Sequence, residues 1–174
     1  MLYVIAVPRL APSVQEVLAH FRAVYEPGRA RLVAPHVTLV FGLAGFDPAS
    51  FADFCRHAVV GQKSFPVAFE GHEISFDPVE RLHKLALLCS DGRGSVISLH
   101  QALYAGEHSS QLRDDIAYRP HMTIAAHGSA SALSDIDTSD IFGAPIHGVI
   151  DSLELVQLSD GVLRSIASIP LGAG

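Results

Sequence analysis

Apolar residues along this chain fall into short blocks whose period alternates between that of a strand and that of a helix. Leu2 to Val7 is a brief apolar run with β-branched members, which predicts a strand. Val14, Val17, Leu18, Phe21 and Val24 recur at the three- and four-residue spacing of one helix face, with Pro12 in the first turn. His36 to Leu43 predicts a second strand. Asp47 followed by Pro48 is a helix cap with proline at the first helical position, and Phe51, Phe54, Cys55, Ala58 and Val59 supply that helix's apolar face. Phe65 to Phe76 is extended, with Gly71 marking a bulge or kink.

The same order then recurs. Leu82 to Cys89 predicts a strand, and the turn Asp91-Gly92-Arg93-Gly94 leads into a helix carrying Val96, Leu99 and Leu103. His121 to Ala126 predicts another strand, and Ser131 to Phe142 a short, weak helical segment. Ile146 to Leu158 and Val162 to Ile169 flank Asp160-Gly161, the strongest short hairpin signal in the chain. Strands alternating with helices place the chain in the α+β or α/β class. Strand, helix, strand, helix, strand occurs twice, over roughly residues 1–80 and 81–174. This predicts an internal duplication into two lobes about a pseudo-twofold axis, within one two-lobed domain spanning 1–174. No Ser/Gly-rich linker separates the halves, so the lobes are expected to pack together.

Composition narrows the function classes. The chain is 49% hydrophobic and 17% charged, which excludes disorder. A net charge of −6 excludes the basic field of a duplex-DNA binder, so a nucleic-acid ligand would be small or held by a local patch. No apolar run approaches a membrane span, and the apolar start lacks the basic segment of a signal peptide. Cys55 and Cys89 form no CxxC pair, which excludes a four-cysteine zinc site; both are expected to be small core thiols in a reducing cytoplasm. A monomer is the expected state.

The chemistry concentrates in one repeated tetrad. Pro35-His36-Val37-Thr38 matches Pro120-His121-Met122-Thr123, and two of the chain's three threonines fall in these motifs. In a strand, residues i and i+2 share a face, so His36 projects with Thr38 and His121 with Thr123. Their apolar neighbours point the other way, and a pseudo-twofold axis would set the two pairs on opposite walls of one cleft. Two imidazoles and two hydroxyls around a cleft suit phosphodiester chemistry without a metal or other cofactor. One neutral histidine takes a proton from water and the other gives one to the leaving oxygen, while the threonine hydroxyls donate to the non-bridging oxygens.

PHVTLVFGL and YRPHMTIA resemble the paired HxTx motifs of the two-histidine phosphoesterase superfamily, which includes 2′-5′ RNA ligase-like proteins and cyclic nucleotide phosphodiesterases. The resemblance extends over the first strand, both motifs and the terminal hairpin SLELVQLSDGVLRSIASIPL. It implies a bilobal α+β fold of duplicated units, with antiparallel sheets lining a central cleft. It also implies metal-independent opening of 2′,3′-cyclic phosphates or related linkages. On these matches His36 and His121 carry catalysis and Thr38 and Thr123 bind phosphate. Where some RNA-processing members carry an arginine after the second motif, this chain has Ala125-Ala126-His127. That departure and the acidic balance favour a small cyclic nucleotide or sugar phosphate over long RNA, with an RNA terminus as a further substrate class. A non-catalytic nucleotide-binding module and a 2′-5′ RNA ligase are the alternative functions.

Other residues border the motifs. Arg119, two residues before His121, is a candidate for phosphate; Tyr118 and Phe41 are candidates for stacking on a base, and Tyr3 for lining the cleft. Lys84 reads as a solvated edge lysine. His127 reads as the start of a loop, and His20, His57 and His100 as solvated helix residues. No histidine group has the spacing of a metal site.

Overall fold

The computed structural model describes residues 1–113 and 115–174. It confirms the α+β class. Nine strands form one antiparallel, curled sheet, with short helices on its flanks. The strands are β1 (Leu2–Ala6), β2 (Arg9–Leu10), β3 (Val37–Leu43), β4 (Phe65–Asp77), β5 (Leu82–Cys89), β6 (His121–His127), β7 (Ile146–Ile150), β8 (Ser152–Ser159) and β9 (Val162–Pro170). The helices are α1 (Pro12–Tyr25), α2 (Pro27–Ala30), α3 (Pro48–Ala58), α4 (Arg93–Leu103), α5 (Ala130–Ser134) and α6 (Ser139–Phe142).

Local chemistry explains the best-predicted elements. Asp47 caps α3 by accepting the Ser50 amide at 2.9 Å, with Pro48 in the first turn. Asp160 and Gly161 both have positive φ, at 52° and 74°, which is the two-residue turn whose twist suits the β8–β9 hairpin. Gly71, at φ 74°, sits in the register shift between Phe69 and His72, as its bulge reading required.

Lateral order reveals the symmetry. The strands run β2-β7-β4-β5-β6-β3-β1-β8-β9, so β6 and β3 meet at the centre and β5 and β1 flank them. The repeats interleave across this centre: β4 pairs with β5, and β8 pairs with β1. Helix α1 packs on β6 and α4 on β3, so each motif strand is backed by a helix from the other half of the chain. Two short links, Val7-Pro8 and Asp151, connect strands at opposite ends of this order, and the curl of the sheet brings those ends together. An Arg9–Asp151 ion pair of 3.1 Å joins them.

Three expectations need correction. The run Ile146–Leu158 is two strands, because Asp151 breaks it and β7 pairs with β4 while β8 pairs with β1. Ser131–Phe142 is two short helices, α5 and α6. On α1 the buried stripe includes Leu18, Phe21 and Arg22, while Val17 and Val24 face solvent. The hydrophobic period alone could not show this, since it is a buried arginine that completes the stripe.

The core lies under the sheet's helix-covered face, where Val37, Leu39, Met122 and Ile124 are all buried. Met122→Ala is expected to destabilise the fold by about 2–5 kcal/mol through the cavity it leaves. Val79→Ala, at a position 80% exposed, is expected to stay within about 0.5 kcal/mol. Thermal melts of the two variants check the contrast.

Candidate active site

The two motifs meet at a single rung of the sheet. Val37 of β3 pairs with Met122 of β6 in antiparallel register. Continuing that register by one residue on each side sets His36 across from Thr123 and Thr38 across from His121. Side chains alternate along strands, so these four share the face opposite the buried Val37 and Met122. The two histidines are then diagonal neighbours, a relation that puts Cα atoms roughly 7–8 Å apart in a regular sheet. A twofold axis through this rung exchanges the motifs.

Each motif is followed by a bulge at the same place. Thr38 pairs with Ile5 but Val40 pairs with Val4, leaving Leu39 as the extra residue on β3. Thr123 pairs with Ala86 but Ala125 pairs with Leu85, leaving Ile124 as the extra residue on β6. Bulges bend and twist the strand that carries them. Twin bulges immediately beyond the motifs explain why β3 and β6 share one rung and then diverge, opening the cleft face.

Both imidazoles are oriented alike. Nδ1 of His36 donates to the Ala34 carbonyl at 2.8 Å, and Nδ1 of His121 donates to the Arg119 carbonyl at 2.7 Å. A carbonyl only accepts, so each bond places the hydrogen on Nδ1 and leaves Nε2 available for proton transfer.

A sequence profile of the 2′-5′ RNA ligase superfamily matches residues 10–161, which include both motifs and the rung that joins them. The chain belongs to this superfamily. Among solved structures, a Thermus thermophilus protein, TT0787, superposes with TM-score 0.64 at 15% identity, covering 99% of this chain and 98% of that one. E. coli LigT in apo form gives 0.59 at 20% identity over 98% and 96%, and Kluyveromyces marxianus Usb1 gives 0.61 at 13% over 98% and 97%. These likenesses establish a shared fold. No curated protein matches the chain.

Burial pushes the His36 imidazole down to about 4; the Ala34 carbonyl opposes the shift, and Arg22, Arg29 and His121 add to it. His36 is therefore neutral at physiological pH, with an acceptor Nε2.

A polar clamp supports the first motif. A bulge leaves backbone groups without ladder partners, and here side chains take them. Tyr118 donates its hydroxyl to the Thr38 carbonyl at 2.9 Å, His100 donates Nδ1–H to the Leu39 carbonyl at 2.7 Å, and the Tyr104 hydroxyl accepts the Phe41 amide at 3.0 Å. His100 stacks on Tyr118 with centroids 3.8 Å apart. His100 is thus buried, not the solvated helix residue its position predicts, because it serves the bulge. One face of Tyr118 is occupied in the same way. Phe41 is 47% exposed and touches Tyr118 edge-on.

The remaining candidate residues lie beside the motifs. Arg119 pairs with Glu73 at 2.7 Å; Glu73 lies across from Ala86, which lies across from Thr123, so this pair borders the second motif. Tyr3 and Lys84 occupy equivalent places, two residues before Ile5 and Ala86. Burial raises the Tyr3 phenol pKa, Glu80 adds to the rise, and Arg29 opposes it. Lys84 is no edge lysine: β5 lies between β4 and β6, and its ammonium is held by Asp77 and Glu80. His127 ends β6 and accepts the Ser129 amide, as a loop-starting residue would. Among the described residues no His, Cys, Asp or Glu cluster has the form of a metal site.

Sequence reasoning missed Arg22, Glu26, His100 and Tyr104. A signal for the bulges was present, since Leu39-Val40 and Ile124-Ala125 are adjacent apolar pairs that break strand alternation identically after each motif.

His36 protonates near 6.5 in the unfolded chain and near 4 in the native state. The native state therefore loses stability as pH falls from 6.5 toward 4. The expected result is a flatter pH dependence of the melting temperature across this window in His36→Gln. Imidazole NMR titration of the wild-type protein should place the His36 midpoint near 4.

Proposed function

We propose that this protein hydrolyses 2′,3′-cyclic or related cyclic phosphodiesters by two-histidine acid–base catalysis, without a metal. The observation that carries this reading is the Val37–Met122 rung, whose register puts His36, Thr38, His121 and Thr123 on one face. Membership of the superfamily supports it. So do the ligands of structural relatives: LigT has been solved with 3′-AMP, with phosphate and with NADP+, and Usb1 with uridine monophosphate. The same comparison supports a small phosphate-bearing substrate.

In this reading the neutral His36 is the general base. Its Nε2 takes a proton from water as the water oxygen attacks phosphorus. His121 is the general acid, and its Nε2–H goes to the leaving ribose oxygen as that P–O bond breaks. Thr38 and Thr123 donate hydroxyl hydrogen bonds to the two non-bridging oxygens, where negative charge accumulates in the transition state. Arg119, tethered to Glu73, offers a cation beside the second motif for a further phosphate. Exposed Phe41 offers a ring to a base, Tyr3 lines the first wall, and Tyr118 supports the Thr38 backbone.

A screen of 2′,3′-cyclic nucleotides tests this function. His36→Ala and His121→Ala are each expected to lower kcat by about 10²–10⁴-fold. Thr38→Val or Thr123→Val should lower it by about 10²-fold, the scale of a lost transition-state donor. His20→Ala, at an exposed position on α1, should leave activity unchanged. Full activity is expected in EDTA. Activity that vanishes in chelator and returns with a divalent cation overturns the mechanism, and tight nucleotide binding without turnover favours a binding module.

A further inference from the structure

Arg22 is buried to 2% exposure in the last turn of α1, next to a site that has no recognised use for it. Its Nε donates to Oε1 of Glu26, the residue that caps the C-terminus of α1, and the Glu26 side chain is also enclosed. A buried ion pair is a poor source of stability, since desolvating two charges offsets most of their attraction. Apolar residues of similar size would pack α1 against β6 at least as well. The pair needs another explanation, and the contacts of the guanidinium supply one.

Arg22 Nη1 donates to the carbonyl of Val33 at 2.9 Å. Val33 precedes Ala34, whose carbonyl holds Nδ1 of His36, and Pro35 then fixes φ just before the histidine. The segment from Arg31 to Pro35 lies outside any strand or helix; the Leu32 and Val33 amides bond back to the Arg29 carbonyl, and the Arg22 contact fixes the Val33 carbonyl on its other side. The guanidinium thus pins the peptide one residue before the carbonyl that aims the ring. Among the described residues no buried arginine serves the second motif; there the preceding segment is tied down through Tyr118 to Thr38.

We propose that Arg22, held rigid by Glu26, is a positioning residue for His36: it fixes the Val33–Ala34 backbone that orients the imidazole and sets a permanent positive charge beside the ring. This deepens the two-histidine reading and rests on it. The charged and titratable groups facing His36 are Arg22 from α1, Arg29 from the α2 turn and His121 from β6, and each disfavours a charged imidazole. Arg29 is engaged by Glu26 and Glu80 and Arg22 by Glu26; of the two, it is Arg22 that also holds the backbone leading into His36.

The test is the double variant Arg22→Gln/Glu26→Gln, which removes both charges and avoids stranding a buried carboxylate. The first readout is the His36 midpoint by imidazole NMR titration of the unliganded protein, which needs no substrate. It is expected to rise by about half a unit or more. The acidic limb of the kcat/KM–pH profile on a 2′,3′-cyclic nucleotide should move up with it. kcat at the optimum should fall about ten- to a hundred-fold with KM little changed, as for a misaimed catalytic group. Arg22→Lys keeps the charge but replaces the planar fork with one nitrogen. It should retain the low midpoint and recover part of kcat, and it serves alone if the double variant does not fold. A folded double variant with an unmoved His36 midpoint, or Arg22→Lys with a raised midpoint or wild-type kcat, overturns the proposal. If the wild-type protein turns over no cyclic phosphate, the catalytic reading fails, and the NMR titration still decides whether Arg22 acts on His36.

Discussion

One backbone pairing, Val37 with Met122, carries the geometry of the cleft. It is where the two sheet halves meet, it fixes which residues oppose which, and it supplies the local twofold axis. Because side-chain direction has period two, this single register decides that the histidines and threonines share a face while the apolar residues go under the helices. A slip of one residue would bury both imidazoles. The twin bulges at Leu39 and Ile124 limit the pairing to that rung and part the strands beyond it.

Such a junction creates a polar cost that the surrounding structure has to meet. Backbone groups displaced from the ladder in β3 are taken by Tyr118, His100 and Tyr104, all half-buried or buried. Two of these come from the helical segment of the other half of the chain, which ties the lobes together through hydrogen bonds as well as apolar packing. Burial of the cleft floor has a second consequence. It depresses the basicity of His36.

Much of this was legible from residue order. The elements with strong local chemistry (the Asp47-Pro48 cap, the Asp160-Gly161 turn, the Gly71 bulge) stand where the sequence places them, because each depends on neighbours in the chain. The pairing of His36 with Thr38 and of His121 with Thr123 follows from strand period alone. The failures share a different cause. Val17 and Val24 looked like core and face solvent, Arg22 drew no reading and is buried, His100 looked solvated and is buried, and Ile146–Leu158 looked like one strand and is two. Each was decided by a partner far away in sequence: Val33 for Arg22, Leu39 for His100, β4 and β1 for the two strands.

Residue types and their two- and 3.6-residue periods determined the class of fold and set each motif histidine on the same strand face as its threonine, since those depend on short-range geometry and on identity. Tertiary structure alone decided that the repeats interleave, with β4 beside β5 and β8 beside β1, and that bulges open the cleft. It also decided the enclosure that depresses the basicity of His36. Pairing across a sheet and exclusion of water are set by contacts between distant segments, and an electrostatic environment belongs to the assembled surroundings of a group, not to its neighbours in the chain.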